Sequence, residues 1–331
     1  MSIITSRHMK LDEAAQARAD VQAERLYNSG SFAMKEDSVF FSRELELISQ
    51  EIAMTKYADL DAEKLLPNRI QVPEGVDTYT WKLFDMRGAA VPMSGSDSGA
   101  PLAQIEGEEM SAYLQSFKIA YGWDVEEIAK ARHTGLALDP MRAEAARRAL
   151  AEKMNYVALL GHSNKSIKGL FNLASTRTYT VPDKAASGTD TKWTVATADE
   201  ILTDMFAMVD DIPNNSANIE SPKRLLLPHA RLRLISRAPR TTTDSKTVLQ
   251  YFMENRPGVE VMGANLLDTA GAGSTMRAVA YDPAQVKWLV SVPFNQLPPQ
   301  VQGFRTVVNA YGRFGGVITS YPKSVLYADD I

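Results

Sequence analysis

The sequence predicts an α+β protein, and three stretches predict it. From Asp139 to Gly161, the apolar residues Ala143, Ala146, Leu150, Met154, Val157 and Leu160 recur every three or four positions. Glu144, Arg147, Arg148, Glu152 and Asn155 fall on the opposite side, which is the pattern of one amphipathic helix. Ahead of it, Val76–Met86 and Glu108–Trp123 alternate in the manner of a long β-hairpin. After residue 276 the chain turns strand-rich: Met276–Tyr281, Val286–Pro293, Phe304–Arg313 and Val317–Tyr327 are dense in Val, Ile, Tyr and Phe.

Asp139 is a favoured N-cap residue, Pro140 is tolerated in a first turn, and Gly161 is a natural stop. The helix is therefore about 20 residues and ~30 Å long. In the hairpin, Asp77, Tyr79, Trp81 and Leu83 share one face, and Val76, Thr78, Thr80, Lys82 and Phe84 share the other. On the second strand Tyr113, Gln115, Phe117, Ile119, Tyr121 and Trp123 lie together. The first strand spans ~36 Å at ~3.3 Å per residue. The stretch from Gly88 to Gly107 reads as the tip; it holds four glycines, two prolines, Asp97 and Glu106, and no Lys or Arg. An isolated hairpin is marginal in water, so these aromatics must lie on something, either their own domain or a neighbouring subunit. A tip of this length without periodicity is usually functional or disordered, which favours the neighbour.

The remaining elements follow in order. Lys10–Tyr27 is polar and Ala-rich, a solvated helix or leader, and Ser42–Ala53 places Leu45, Ile48 and Ile52 on one helical side. Leu65-Leu66-Pro67 closes this region. Beyond the long helix, Gly161–Asn172 is a loop, and Thr176–Thr197, polar with Trp193 near its end, reads as a surface loop or small hairpin. Thr197 and Glu200 form a capping box opening a helix through Ile201, Met205, Met208 and Ile212, stopped by Pro213. Arg224–Leu227 is a strand, Pro228–Arg237 and Thr247–Asn255 are helices, and Gly258–Leu267 is a strand before a turn at Thr269–Ser274. Breaks are expected at Asp282-Pro283, Pro298-Pro299 and Gly315-Gly316.

The 331 residues carry 45% hydrophobic and 23% charged side chains, as soluble globular proteins do. A net charge of -4 argues against a dedicated nucleic-acid binder. The absence of cysteine removes disulfides, thiolate metal sites and a cysteine nucleophile. No apolar run reaches the ~18 residues of a membrane helix, and Met1–Lys10 lacks a signal core.

Chemistry is sparse. His8, His133, His162 and His229 are scattered, without metal-ligand spacing. Gly95–Gly99 has Asp97 where a nucleophile elbow needs Ser. Gly271-Ala272-Gly273-Ser274 lacks the lysine of a phosphate loop. Asp199 and Glu200 are explained by capping, and Asp210 and Asp211 are expected in a solvated turn. Arg231, Arg233, Arg237 and Arg240 read as a solvated helix face. No catalytic residue, cofactor or metal is called for.

The order of elements resembles the major capsid proteins of tailed bacteriophages. Leu159-Leu160-Gly161 followed by Gly169-Leu170 is similar to the family's helix end and the turn after it. Leu225-Leu226-Leu227-Pro228 and Gly258-Val259-Glu260-Val261 resemble its axial-domain strands. Gly316–Leu326, with Tyr321-Pro322, resembles its terminal peripheral strand. The resemblance implies an α+β, Hong Kong 97-type major capsid fold: an N-terminal arm and first helices (1–66), an extended hairpin loop or E-loop (67–122), a peripheral domain with spine helix 140–160 (123–196), an axial domain (197–275) and returning strands (276–331).

It further implies hexamers and pentamers of this chain in an icosahedral head assembled in host cytoplasm. The partners would be a portal, a separate scaffolding protein, a decoration protein and weakly held double-stranded DNA, with no membrane. The implied inter-subunit contacts are the hairpin's Trp81, Phe84, Arg87, Tyr113 and Phe117. Its acidic residues Asp97, Glu106, Glu108 and Glu109 would meet a neighbour's Arg142, Arg147 and Arg148. The tip has no lysine for the isopeptide cross-link some members form, and the ~40 residues before the first apolar helix leave no room for a fused scaffold. The alternatives are an encapsulin-type nanocompartment shell and, from another class, a carboxylate-based hydrolase.

Overall fold

Two sheets, each with its own helical cover, account for the chain from residue 59 onward. The computed structural model describes residues 59–91, 101–134, 138–186, 188–241 and 246–331. The helices expected within 10–27 and 42–53, and Asp97, lie outside these residues.

In chain order the elements are α1 (Ala62–Leu65), β1 (Arg69–Gln71), β2 (Thr78–Arg87), β3 (Gln104–Asp124), α2 (Val125–Thr134), α3 (Leu138–Leu160) and β4 (Arg177–Tyr179). Then come α4 (Ala198–Asn215), β5 (Arg224–Pro228), α5 (His229–Arg237), α6 (Val248–Asn255), β6 (Glu260–Ala264) and β7 (Arg277–Tyr281). The chain closes with β8 (Val286–Gln296), β9 (Gln300–Gln302), β10 (Arg305–Thr319) and β11 (Leu326–Asp329). One sheet runs β1-β8-β10-β3-β2, with β9 against β10; the other runs β4-β11-β7-β5-β6.

The long helix α3 lies on the first sheet. Ala146, Leu150, Met154, Val157 and Leu159 are buried with Trp288, Val290, Phe314 and Val317. It starts at Leu138, so Asp139 falls in the first turn rather than at the cap. Gly161, at φ 79°, ends it. Asn155, placed by its spacing on the solvent side, accepts a hydrogen bond from the Ala62 amide at 2.8 Å. Helix α2 is not visible in the sequence pattern because it has little apolar periodicity. Its acidic first turn suits the helix dipole, and Arg142 on α3 donates to both Glu127 oxygens, at 3.0 and 3.1 Å.

The expected break at Gly315-Gly316 is absent: β10 runs through both residues to Thr319. The glycines serve a close approach instead. The Val317 amide donates to the Lys168 carbonyl at 2.8 Å, and a Cβ on Gly316 would run into that same oxygen. The following stretch, read as one strand from 317 to 327, divides between β10 and β11 around a turn at Pro322–Ser324. The segment 258–267 likewise shortens to β6, followed by a 3-10 turn at Asn265–Thr269.

The second sheet packs against α4, α5 and α6, around Ile201, Met205, Met208, Ile235 and Phe252. The expected capping box of Thr197 with Glu200 forms, and Thr247 makes a second with Gln250 that was not among the expectations. Pro213 does not stop α4. It lies inside the last turn, where few backbone bonds remain to be lost. Asp210 and Asp211 sit on this helix rather than in a turn, paired with Arg256 and Arg177, each at 2.6 Å. Arg231 is buried, not solvated, and donates to the Ile331 carbonyl at 2.9 Å.

The largest departure is in 176–197, expected at the surface. Trp193 and Lys184 are each 1% exposed. Lys184 meets Asp204 at 2.5 Å, and the Trp193 indole N–H donates to the same carboxylate at 2.8 Å. Tyr179 donates to it at 3.4 Å, and burial together with the Asp204 charge pushes its phenol up to about 12. A polar loop thus folds inward because its lysine and the helix's aspartate satisfy one another.

The two sheets share one apolar core and are tied by polar contacts, among them those around Tyr327 and Arg277. Tyr327 of β11 donates to the Leu170 carbonyl at 2.5 Å and accepts from the Leu173 amide at 3.0 Å. Arg277 donates to the Phe171 carbonyl and grips Asp329 at 2.5 and 2.8 Å. Burial pushes the Asp329 carboxyl up, but Arg277 and the Ala272 amide outweigh it and hold the group below the usual range.

Two outcomes follow for the unassembled chain. Lys184→Met leaves Asp204 buried without its cation and lowers unfolding stability by about 3–5 kcal/mol, read from denaturant midpoints. Glu200 accepts from the Ala185 and Thr197 amides and from the Thr197 hydroxyl, which hold it near 2 against an ordinary 4.5. Its stabilising contribution is complete above about 4.5 and is lost as pH falls toward about 2. Glu200→Gln removes that part, so the stability gap between wild type and variant narrows across this window in acid titrations.

Candidate functional site

The hairpin is half anchored and half free. β3 has 21 residues. Its inner part, from Leu114 to Asp124, pairs antiparallel with β10, from Leu114↔Gly315 to Asp124↔Arg305. Its outer part pairs only with β2, from Thr78↔Tyr113 to Arg87↔Gln104. The ladder therefore includes Gln104–Gly107, four residues expected in the tip.

The register sorts the side chains. Near the base, Tyr79, Trp81 and Ala112 point one way and cover Val72, Leu114, Leu289 and Ile318 of their own chain. Farther out, the apolar residues change face. Phe84, Met86 and Ile105 stand on the opposite side, at 63%, 80% and 68% exposure. Gly107, directly across from Phe84, leaves room for its ring. The face below them carries Asp85, Arg87, Glu106 and Glu108, with Arg87 bridging Asp85 at 3.1 Å and Glu106 at 3.2 Å. These exposed pairs add little stability.

The residues expected at a neighbour's surface separate into two groups. Phe84, Arg87, Glu106, Glu108, Glu109 and Tyr113 are exposed. Trp81 and Phe117 are engaged within the subunit: Trp81 on the cluster just described, Phe117 stacked on Phe314 at 4.6 Å and edge-on to His162 at 5.6 Å. The arginines of α3 also have partners in their own chain. Arg142 holds Glu127 and the Gly122 carbonyl, Arg148 meets Glu152 at 2.8 Å, and Arg147 lies 5.5 Å over the Phe294 ring. Met86 and Ile105 were not among the expected residues. Met86 has period-2 spacing with Phe84, and Ile105 joins them by pairing across from Met86, which a second strand starting at Glu108 leaves out.

A second exposed apolar group lies at the far end of β3, where Val125, Val301 and Phe304 are uncovered. Among the described residues, no group of three or more His, Cys, Asp or Glu could hold a metal ion, and no helix is long and apolar enough to cross a membrane.

Uncovered apolar side chains thus stand near both ends of β3, as they do on surfaces that meet a partner. The sequence model of the major capsid protein family matches residues 88–331, and the chain belongs to that family. The fold is that of tailed-phage capsids, of Hong Kong 97 type. The capsid of Myoviridae phage XM1 superposes with a TM-score of 0.76 over 89% of this chain and 100% of that one, at 18% identity. The capsid of a native GTA particle gives 0.61, covering 87% and 96% at 9% identity. The Mycobacterium phage Ogopogo structure gives 0.57, covering 89% and 100% at 12% identity. No curated protein matches the chain by sequence. The protein is a major capsid protein, a structural component of the virion shell. The family match does not favour the nanocompartment alternative.

Proposed function

We propose that copies of this chain close into hexamers and pentamers of an icosahedral head, each laying its outer hairpin across the adjacent copy. The observation that carries this is the bare Phe84, Met86 and Ile105 face on a ribbon whose inner half is already fixed in its own sheet. Lasting interfaces bury over ~1,200 Å² in total, and an extended ribbon adds contact area without enlarging a core. In this reading the sheet under α3 is the peripheral domain and the sheet under α4, α5 and α6 is the axial domain. The Val301 and Phe304 end of the peripheral sheet joins copies of neighbouring rings.

The chain's acidic balance suits a wall that contains DNA with weak, non-specific contact. A separate scaffolding protein, a portal and a decoration protein are the partners such a head takes, and assembly is placed in the host cytoplasm. The tip between β2 and β3 contains no lysine, so a lysine–asparagine bond from it is not part of the mechanism.

Replacing Phe84, Met86 and Ile105 by serine tests the reading. These side chains touch little of their own chain, so the unassembled variant keeps its stability to within about 0.5 kcal/mol. Particle yield, read by sedimentation and electron microscopy, falls about tenfold or more, as expected when an interface anchor is removed. Normal particles from the triple variant would defeat it.

A further inference from the structure

The chain is acidic as a whole, with 36 Lys and Arg against 40 Asp and Glu. One concave region departs from that balance. At the C-terminal end of α3 lies a cavity of about 490 Å³, walled in part by Lys153, Tyr156, His162, Ser163 and Lys168. A groove of about 310 Å³ adjoins it, with Lys165, Ser175 and Thr319 in its wall. The two share Ser166, Ile167 and Lys168. Among the described residues, no carboxylate lines either hollow.

The lysines are not spent within the subunit. Among the described residues, Lys153, Lys165 and Lys168 have no carboxylate partner; Lys153 lies over the Phe117 and Tyr156 rings, at 5.6 and 5.3 Å. Nor are they needed to cap α3. The Asn172 side-chain amide donates to the Leu160 carbonyl at 2.6 Å, and the Gly161 amide donates to that of Val157 at 2.9 Å. His162 Nδ1 accepts from the Asn164 amide at 3.2 Å, which leaves Nε2 to carry the ring proton. The backbone that presents Lys165 and Lys168 is bonded on both sides. The His162 amide donates to the Ile167 carbonyl at 2.9 Å, and the Val317 amide donates to that of Lys168 at 2.8 Å.

Ammonium, hydroxyl and imidazole donors, with no acid among them, suit an oxyanion. The charge is also spread out: Lys153 walls the cavity alone, Lys165 the groove alone, and Lys168 both. One small ion would fill one hollow and leave a lysine bare, whereas a ligand that repeats its charge serves all three. We propose that this surface takes phosphodiester groups of the packaged double-stranded DNA. Lysines meet phosphates as point charges, and phosphate contacts position a duplex without reading its sequence. The inference rests on the reading that this chain walls a DNA-filled head, and it locates on an acidic chain the weak contact which that reading calls for.

Salt titration tests the site. The unassembled chain is titrated with a labelled short DNA duplex at several salt concentrations. Each phosphate contact contributes ~0.9 to the slope of log affinity against log salt. Lys153→Gln, Lys165→Gln and Lys168→Gln together are expected to flatten that slope by about 2.7, three contacts' worth, with the chain folded and particle yield at the wild-type level. An unchanged slope overturns the site. So does loss of particles from the folded triple variant, which would make this surface a contact between copies. Inorganic phosphate separates the sources: if it binds the wild-type chain and not the variant, while duplex affinity is equal in both, the hollows hold a free ion and not DNA. In filled heads, acetylation of these three lysines is expected to be several-fold slower than in heads emptied of DNA, and equal reactivity overturns the assignment. Each of these failures leaves the shell reading standing. A wild-type chain that forms no heads would overturn that reading and the site with it.

Discussion

Everything in this subunit depends on the ladder between β10 and the inner part of β3. A strand of 21 residues extends roughly 70 Å at ~3.3 Å per residue, far more than one small sheet can use. The ladder with β10 fixes one half and so decides where the other half goes. A free two-stranded ribbon would be marginal in water. Here the outer ribbon continues a strand already held in register by eleven consecutive pairs, so it needs no core of its own to stay extended. Extension without burial leaves apolar side chains bare.

The change of face along the hairpin gives this its direction. Tyr79 and Trp81 spend their area on Val72, Leu114, Leu289 and Ile318. Had Phe84 and Met86 continued on that side, the ribbon would present a single greasy face continuous with its own core and could curl onto it. Because they lie on the other side, the committed face turns polar beyond Leu83, and the bare apolar side chains point away from their own core. A ribbon with one face committed at its base and the opposite face bare at its end is addressed outward.

Much of the scaffold was legible in the sequence because it is local. The α3 periodicity, the Thr197–Glu200 capping box and the Arg224–Leu227 strand depend on residues within a turn or two of one another, and each appears as read. What was hidden depends on distant partners. Lys184 and Asp204 look like surface residues until the fold brings them together, and Gly316 looks like a breaker until Lys168 crosses it. The site was half legible for the same reason. The hairpin and its acidic character were plain, but the register that bares Ile105 opposite Met86 is a property of pairing, not of either strand alone. The arginines of α3 were expected to face a neighbour, yet each finds a nearer partner in its own chain.

The short segment after α3 has a structural role of its own. Lys168 is bonded through its carbonyl to β10, and only one residue separates it from Leu170, whose carbonyl holds Tyr327. Phe171 and Leu173, on the same short segment, are held by Arg277 and Tyr327. The segment therefore bonds to β10 on one side and to β7 and β11 on the other. The left-handed backbone at Lys165 and Ser166 fits that role. A loop free to relax would leave such strained angles, whereas one pinned on both sides keeps them.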